Sequence, residues 1–147
     1  MADYSRTRVA LSTVMASAKT LLTGSPAYTW TIKEYQNTNY ADLFMYLKCL
    51  TRYPACVLIY NSGKSGNESP HRELSFNIIV VTRNMTNGEA ATDALQALID
   101  QAITALDYQI VNSYVQIKYQ SDKVLQLDRG SMLTASEITF IAGDYTP

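Results

Sequence analysis

The chain has few of the residue types that carry most enzyme and metal chemistry. It contains one histidine, two cysteines and 17% charged residues, and the charged share is below the usual quarter. A zinc site would need more than one histidine together with unpaired thiols, and the spacing of Cys49 and Cys56 matches no redox or zinc pattern. We therefore predict no metal site and no cofactor, and we interpret the two thiols as packing residues in a reducing cytosol.

Long apolar runs and a basic surplus are also missing. No window approaches eighteen apolar residues, so no membrane-spanning segment is predicted. The apolar run that follows Arg6 and Arg8 is interrupted by Ser and Thr, which argues against a signal peptide. A formal net charge of −1 argues against sequence-specific nucleic-acid binding, which usually requires an excess of Lys and Arg.

The pattern of apolar residues predicts one α+β domain over residues 1–147. Strand pairs beside two one-sided helices are typical of a two-layer fold. We expect a mainly antiparallel sheet of four to six strands, with two main helices on one face, a short extra helix, and the other face open. The predicted elements are a helix over 5–23, a strand over 28–33, a short helix over Tyr40–Leu50, a hairpin over Arg52–Asn84, a helix over 88–106, one or two strands over Asn112–Leu127, and a last strand over Met132–Ala142.

The helix over 88–106 has the strongest pattern. The run from Thr86 to Glu89 has the form of a capping box, and an apolar stripe follows at steps of three and four residues. Leu98 and Ile103 belong to this stripe. We expect both side chains to be buried against the sheet, opposite Phe76, Ile78 or Phe140.

The hairpin over Arg52–Asn84 is the most informative segment for function. Two strand-like runs flank ten polar residues, Asn61–Pro70, which are rich in Gly, Ser and Asn. A long polar loop on a rigid hairpin is a common way to present a contact surface. We expect this loop to be mobile in an isolated subunit and ordered in an assembly, because ordering it costs about 1–2 kcal/mol per residue. The candidate interface residues are Asn61, Lys64, Asn67, Glu68, Arg72 and Arg83.

The search for catalytic motifs yields nothing specific. Gly63–Ser65 is similar to the end of a phosphate-binding loop, but Leu58 stands where that motif requires its first glycine. His71 lies near Ser65 and Ser69, without the nucleophile-elbow motif that would support a triad. We predict no catalytic residue. The possible carboxylate pairs, Asp93 with Asp100 and Asp122 with Asp128, are interpreted as solvated surface.

Charge is distributed unevenly along the chain. Residues 1–83 hold nine basic and five acidic residues, whereas residues 84–147 hold three and eight. Such a split would help identical subunits to associate head to tail. The alternative is chance placement on a solvated surface, because charge along a sequence maps poorly onto surface patches.

Several segments together resemble a known group of viral proteins. These are a Pro-Ala-x-x-Leu-type strand at Pro54–Tyr60, a glycine-bearing loop at Asn61–Pro70, and a strand that ends in a polar turn at Glu73–Asn84. A leucine-striped helix at Glu89–Leu106 and a closing strand at Ile138–Ala142 follow. In this order the chain resembles the tail terminator, or neck, proteins of long-tailed bacteriophages, and within them the terminator-like family of Mu-like phages.

The resemblance implies a non-enzymatic structural subunit. Such proteins assemble, usually as a homohexameric ring, on the end of the tail tube, stop its polymerisation and join the tail to the head. The implied partners are further copies of the chain, the tail tube protein and the head–tail connector or neck proteins, with DNA passing through the ring and no membrane. The implied location is the virion tail, after synthesis in the host cytoplasm. The alternatives are a small cytosolic α+β enzyme or ligand-binding protein, and another head-completion or baseplate component.

Overall fold

The computed structural model describes residues 11–24, 31–35, 43, 45–47, 54–65, 72–83, 88–111, 115–125 and 133–144. Two helices lie in this part of the chain, α1 (Leu11–Thr23) and α2 (Gly88–Leu106). The strands are β1 (Thr31–Tyr35), β2 (Ala55–Ser65), β3 (Arg72–Arg83), β4 (Ile110–Val111), β5 (Val115–Leu125) and β6 (Leu133–Asp144).

The six described strands form one sheet in the order β1-β2-β3-β6-β5-β4. β1 is parallel to β2, and all other neighbours are antiparallel. Parallel neighbours need a crossover connection, and helical residues occur between β1 and β2 at Leu43 and at 45–47. The predicted α+β class with a mainly antiparallel sheet is confirmed.

The larger core joins both helices to one face of the sheet. α2 contacts β3, β5 and β6, and α1 contacts α2 and both edge strands, β1 and β4. The predicted bounds of α2 are correct, and Leu98 is buried in this core, whereas Ile103 is only half-buried at its margin. The buried residues are Val14, Met15, Ala18, Leu22, Cys56, Leu58, Leu74, Phe76, Ile78, Val80, Leu95, Leu98, Ile99, Ala102, Leu106, Val111, Val115, Ile117, Ile138, Phe140 and Ala142.

A second core covers part of the opposite face of the sheet. Leu43 and Leu47, from the helical residues before β2, are buried with Val57, Ile79 and Ala135 of the strands. The prediction that this face would be open is therefore wrong for the part of the sheet that contains Val57, Ile79 and Ala135. The missed signal is the continuous apolar character of β2 and β3, which is typical of strands that are buried on both faces.

An aromatic row crosses the four central strands. Tyr60 of β2 pairs in register with Phe76 of β3, which pairs with Phe140 of β6, which pairs with Tyr119 of β5. The rings of Phe76 and Phe140 are stacked with centroids 5.6 Å apart, and Tyr119 meets Phe140 edge-on at 6.2 Å. Such cross-strand aromatic pairs stabilise one register over its alternatives.

One predicted boundary differs from the structure. The polar residues Asn61–Ser65 belong to β2 and pair with the start of β3, so six residues, 66–71, separate the two strands instead of the ten expected. Backbone pairing overrides turn composition here because both strands of the hairpin extend together. The prediction of one or two strands over Asn112–Leu127 agrees with β5, the strand found among the described residues of this segment.

The remaining boundaries are close to those expected. α1 ends at Thr23, and the N–H of Gly24 donates a hydrogen bond of 3.0 Å to the carbonyl of Thr20, which agrees with the predicted stop. Residues 5–10 of the predicted helix and 28–30 of the predicted first strand lie outside the described residues. Neither α1 nor α2 is long and apolar enough to span a membrane.

We predict that Leu98→Ala lowers the free energy of unfolding by about 2–5 kcal/mol, because it empties a buried site in the larger core. Gln96, two residues earlier on α2, is exposed and supplies the control. Gln96→Ala should change stability by less than about 0.5 kcal/mol. Urea denaturation of the three proteins measures both values, and a loss under about 0.5 kcal/mol for Leu98→Ala would contradict the placement of the stripe.

We also predict that Cys56 makes stability fall at alkaline pH. Complete burial raises the pKa of its thiol far above the ordinary 9.0. Above pH 9 the unfolded chain therefore releases a proton that the folded chain keeps, and the free energy of unfolding decreases by about 1.4 kcal/mol per pH unit. Denaturation between pH 8 and 10.5, in a Cys49→Ser background, should show a slope that Cys56→Val lacks. Equal slopes in the two proteins would refute this linkage.

Candidate interaction surfaces

The hairpin end brings together three of the six candidate interface residues. Asn61 lies at a β-bulge between Tyr60 and Ser62. Lys64 is near the end of β2, and Arg72 begins β3 directly across the hairpin. Asn67 and Glu68 lie outside the described residues.

The sixth candidate, Arg83, belongs to a different part of the surface. It is the last residue of β3, whereas Arg72 is the first. A strand of this length separates its ends by about 36 Å, at about 3.3 Å per residue. Arg83 therefore cannot act in one contact site with Lys64 and Arg72 unless that site runs the length of the sheet.

The segment that is similar to a phosphate-binding loop has strand structure. Gly63, Lys64 and Ser65 pair in register with Leu74, Glu73 and Arg72. A phosphate cradle requires successive backbone N–H groups that converge at a helix N-terminus, and a paired strand does not supply this geometry. His71 and Ser69, the other residues considered for catalysis, lie outside the described residues.

Part of β2 has no neighbouring strand on its outer side among the described residues. β1 pairs with Ala55–Ile59 and ends there, opposite Tyr35. Along the rest of β2, Tyr60–Ser65, the described part of the chain supplies no strand on that side. We call Tyr60–Ser65 the β2 edge. Unpaired N–H and C=O groups on such an edge are a template for another strand.

At the other end of the sheet, no described strand pairs with the outer side of β4 or with the outer side of β5 beyond Tyr119. Five consecutive residues of β5, Gln120–Val124, are all exposed. Of the five large apolar side chains that are exposed in the described part of the chain, three belong here: Tyr108 at 68%, Ile110 at 45% and Val124 at 67%. We call Tyr108, Ile110 and Gln120–Val124 the β4–β5 edge. Apolar and aromatic side chains beside an unpaired edge favour a protein contact.

The turn between α2 and β4 covers the first part of β5. The N–H of Ile117 donates to the carbonyl of Gln109 at 2.8 Å, and the N–H of Tyr108 donates to the carbonyl of Ile117 at 2.8 Å. The N–H of Tyr119 donates to Oδ1 of Asp107 at 2.9 Å. The open part of the strand therefore begins after Tyr119.

The turn itself carries a conformational strain. Tyr108 has φ 63°, the left-handed region in which glycine is usual and a side chain costs energy. A left-handed residue after a helix commonly allows the N–H groups there to donate hydrogen bonds to the last carbonyl groups of the helix. Here the N–H of Gln109 donates to the carbonyl of Leu106 at 3.2 Å. An exposed tyrosine at a position that favours glycine marks this turn as a candidate contact.

A β-bulge opens the strand where this cover ends. Register shifts between Tyr119 and Ser121, and the hydroxyl of Tyr119 donates a short hydrogen bond to Oδ1 of Asp122 across the bulge. This hydrogen bond raises the pKa of the Tyr119 phenol above its ordinary 10.0, with smaller effects from desolvation and from the charge of Asp122. Bulges are common where a sheet edge ends its pairing.

The exposed half of β5 is fixed to β6 through its inner side. Oγ of the buried Ser136 donates to the carbonyl of Lys123 at 2.8 Å. Nζ of Lys123 lies 3.5 Å from Oε1 of the buried Glu137, its partner in register. A single surface ion pair contributes little stability, but these contacts give the exposed residues a defined strand geometry before any partner binds.

A shallow groove of about 550 Å³ lies between α1 and β4. Its walls are Thr13, Ala16, Ser17, Thr20 and Leu21 of α1 and both residues of β4. None of these side chains is titratable at neutral pH, so the groove can bury apolar surface but has no general acid or base in its walls.

The order of the strands converts the uneven charge along the sequence into an uneven charge across the sheet. β1, β2 and β3 form one half and β6, β5 and β4 form the other. Among the described strands, β1, β2 and β3 carry four basic and two acidic residues, whereas β4, β5 and β6 carry two basic and three acidic residues. The two open edges therefore belong to halves of opposite net charge.

The comparisons with known proteins provide no independent identification. No protein-family model matches the chain, and no curated protein is similar to it. Within the residues that the structure describes, no three His, Cys, Asp or Glu side chains are grouped so that they could hold a metal ion.

The β4–β5 edge is not among the predicted contact residues. The signal was available, since Gln120–Lys123 is a polar run inside a segment that otherwise alternates, and polar or charged residues on both faces are typical of an exposed edge strand. The role of Asp107 had no comparable signal. It depends on a hydrogen bond between residues twelve positions apart.

We predict that Asp107→Ala uncovers more of the β5 edge. An acidic residue at a helix C-terminus destabilises the helix, so we do not expect Asp107 to stabilise α2. We expect its effect to come from the hydrogen bond that it accepts from the N–H of Tyr119. Amide exchange at Tyr119 should become at least about tenfold faster, because a hydrogen bond to a charged group contributes about 1.5–3 kcal/mol.

Exchange-detected NMR of the isolated protein measures this effect. Asp107→Asn keeps an acceptor oxygen and is the matched control, with a smaller increase expected at Tyr119. Exchange at Ile78, in the centre of the sheet, should be the same in all three proteins. An unchanged rate at Tyr119 in Asp107→Ala would contradict the assigned role.

Proposed function

We propose that the chain is a structural subunit of a long-tailed bacteriophage that assembles as a ring on the end of the tail tube. The observation that carries the proposal is the presence of two open strand edges at opposite sides of one sheet, in halves of opposite net charge. Head-to-tail contacts between unlike surfaces close into a ring when the rotation between subunits permits.

The fold supports this role through its layers. In the proposed subunit α1 and α2 form one layer on the sheet, and the helical residues near Leu43 and Leu47 cover part of the other face. Buried surface on both sides keeps the sheet rigid. A rigid sheet can present its two edges in a fixed relation, which a ring of identical subunits requires.

The resemblance in the sequence makes the proposal more specific. In the terminator-like proteins that the chain resembles, the ring stops tube polymerisation and provides the surface that joins the head connector. The end of the hairpin beyond the β2 edge, where Arg72 begins β3, is the proposed contact with the tube or the connector, because the connection of a hairpin is a common contact surface. No catalytic step is part of this proposal.

A ligand-binding protein is the second candidate, and the groove between α1 and β4 favours it. The groove volume of about 550 Å³ falls in the range of small-molecule sites. Such sites are usually concave and mainly enclosed, however, whereas this groove opens widely to solvent. The ring proposal explains both the open edges and the charge distribution, and the ligand proposal explains neither.

We predict that the purified protein forms discrete rings and that virus lacking it makes tails of uncontrolled length. Light scattering coupled to size exclusion gives the subunit number, and negative-stain images give the shape. Electron microscopy of lysates from the deletion mutant gives the distribution of tube lengths. Supplying the unchanged chain from a plasmid is the control, and it should restore a single length. Deletion-mutant tails of normal length that are joined to heads would contradict the proposal.

A further inference from the structure

We propose that neighbouring copies associate by pairing the β2 edge of one copy with the β4–β5 edge of the next, so that the sheet continues from subunit to subunit. This inference rests on the proposed ring and names the surfaces that form it. The occupant of each edge is therefore a second copy of this chain.

The exposed part of β5 can pair with another strand, but pairing with β5 of a second copy is unfavourable. A two-fold contact that uses all of Gln120–Val124 would place Asp122 directly opposite the partner's Asp122. Like charges in directly opposed positions of an antiparallel pair are destabilising. Shifting the register to avoid this contact leaves exposed strand residues unpaired. The charges of this edge thus favour a contact with a different strand.

Strand direction fits the β2 edge. β5 runs opposite to β2, because β2, β3, β6 and β5 are successively antiparallel. A ring axis that is inclined to the strands by no more than about 45° keeps the strands of neighbouring copies roughly aligned, so the next copy presents β2 antiparallel to β5. The β2 edge carries Lys64, whereas the β4–β5 edge carries Asp122 together with Lys123, so charge adds little to this pairing and strand direction is the stronger argument.

The position of each edge along its strand fits a closed ring. Both open segments begin at the aromatic row, but they extend to opposite sides of it: β2 continues from Tyr60 toward the hairpin end, and β5 continues from Tyr119 away from it. Pairing them offsets neighbouring copies by about four residues, or about 13 Å. The four strands β2, β3, β6 and β5 of each copy span about 19 Å side by side. The ratio of the offset to this width corresponds to strands tilted by roughly 35° from the ring axis, within the range found in closed sheets.

Crosslinking between introduced cysteines tests the pairing. Ser62 pairs with Ser75, and Ser121 pairs with Thr139, and the register puts both serines on the sheet face that carries Leu43 and Leu47. The test protein is Ser62→Cys with Ser121→Cys in a Cys49→Ser background, and the buried Cys56 is retained. The reagent is a short bis-maleimide, because its reach tolerates an offset of one diagonal pair, about 7–8 Å.

The expected result is a ladder of covalent multimers from the double variant, with the largest rung equal to the number of subunits in the ring. Each single variant should remain monomeric on a denaturing gel. The matched control combines Ser62→Cys with Gln96→Cys, since Gln96 is exposed on α2 and lies about three helical turns before Tyr108, outside both edges. This control should also remain monomeric.

Three results would overturn the inference, and they have different consequences for the proposed function. Covalent dimers from Ser121→Cys alone would indicate a two-fold contact between β5 strands. Rings in electron micrographs without any ladder from the double variant would place the ring contact on another surface and leave the proposed ring standing. If the double variant gives no ladder, and no ring is seen either in solution or on purified tails, both the pairing and the ring would be refuted.

Discussion

The register of the four central strands is the constraint on which the rest of this structure depends. The aromatic row of Tyr60, Phe76, Phe140 and Tyr119 fixes that register, because a slip of one residue would move every ring to the wrong face of its strand. Phe76 and Phe140 are fully buried, and both helices pack on the face that they occupy. Tyr60 and Tyr119, at the two ends of the row, are the points where β2 and β5 bulge and their outer sides become open. The two ends of the aromatic row therefore coincide with the start of the β2 edge and of the exposed part of β5.

Each open edge is limited by a short piece of structure that covers the remainder of its strand. β1 pairs with the first part of β2, and the turn that contains Asp107 and Tyr108 covers the first part of β5. An edge that is left open along a whole strand invites uncontrolled association. β1 and this turn lie on opposite sides of the aromatic row. The two segments that they leave uncovered therefore have similar lengths and extend to opposite sides of the row. This arrangement permits one specific contact between unlike edges and disfavours extended sheet stacking.

The sequence predicted those features that depend on local pattern. The apolar stripe predicted the extent of α2, because burial of one helix face imposes a period close to 3.6, whereas Thr86 of the predicted capping box lies outside the described residues. The strands were found by their β-branched and aromatic content. Prediction failed where tertiary contacts decide. Asn61–Ser65 has the composition of a loop but pairs as a strand. The apolar runs of β2 and β3 indicate burial on both faces, but they do not indicate that Leu43 and Leu47 supply the cover. The parallel pairing of β1 with β2 likewise depends on where a crossover places a distant strand.

The candidate site shows the same division between local and distant information. Lys64 and Arg72 were selected because they flank a polar turn, and the hairpin does bring them together, whereas Arg83 was selected with them and lies at the other end of β3. The β4–β5 edge was missed because each of its residues is ordinary in isolation. Their significance arises from the order of the strands, which puts β1, β2 and β3, with a net positive charge, on one side of the sheet and β4, β5 and β6, with a net negative charge, on the other. The charge bias along the sequence thus persists in weaker form across the sheet, and opposite net charges on its two sides favour a contact between unlike edges.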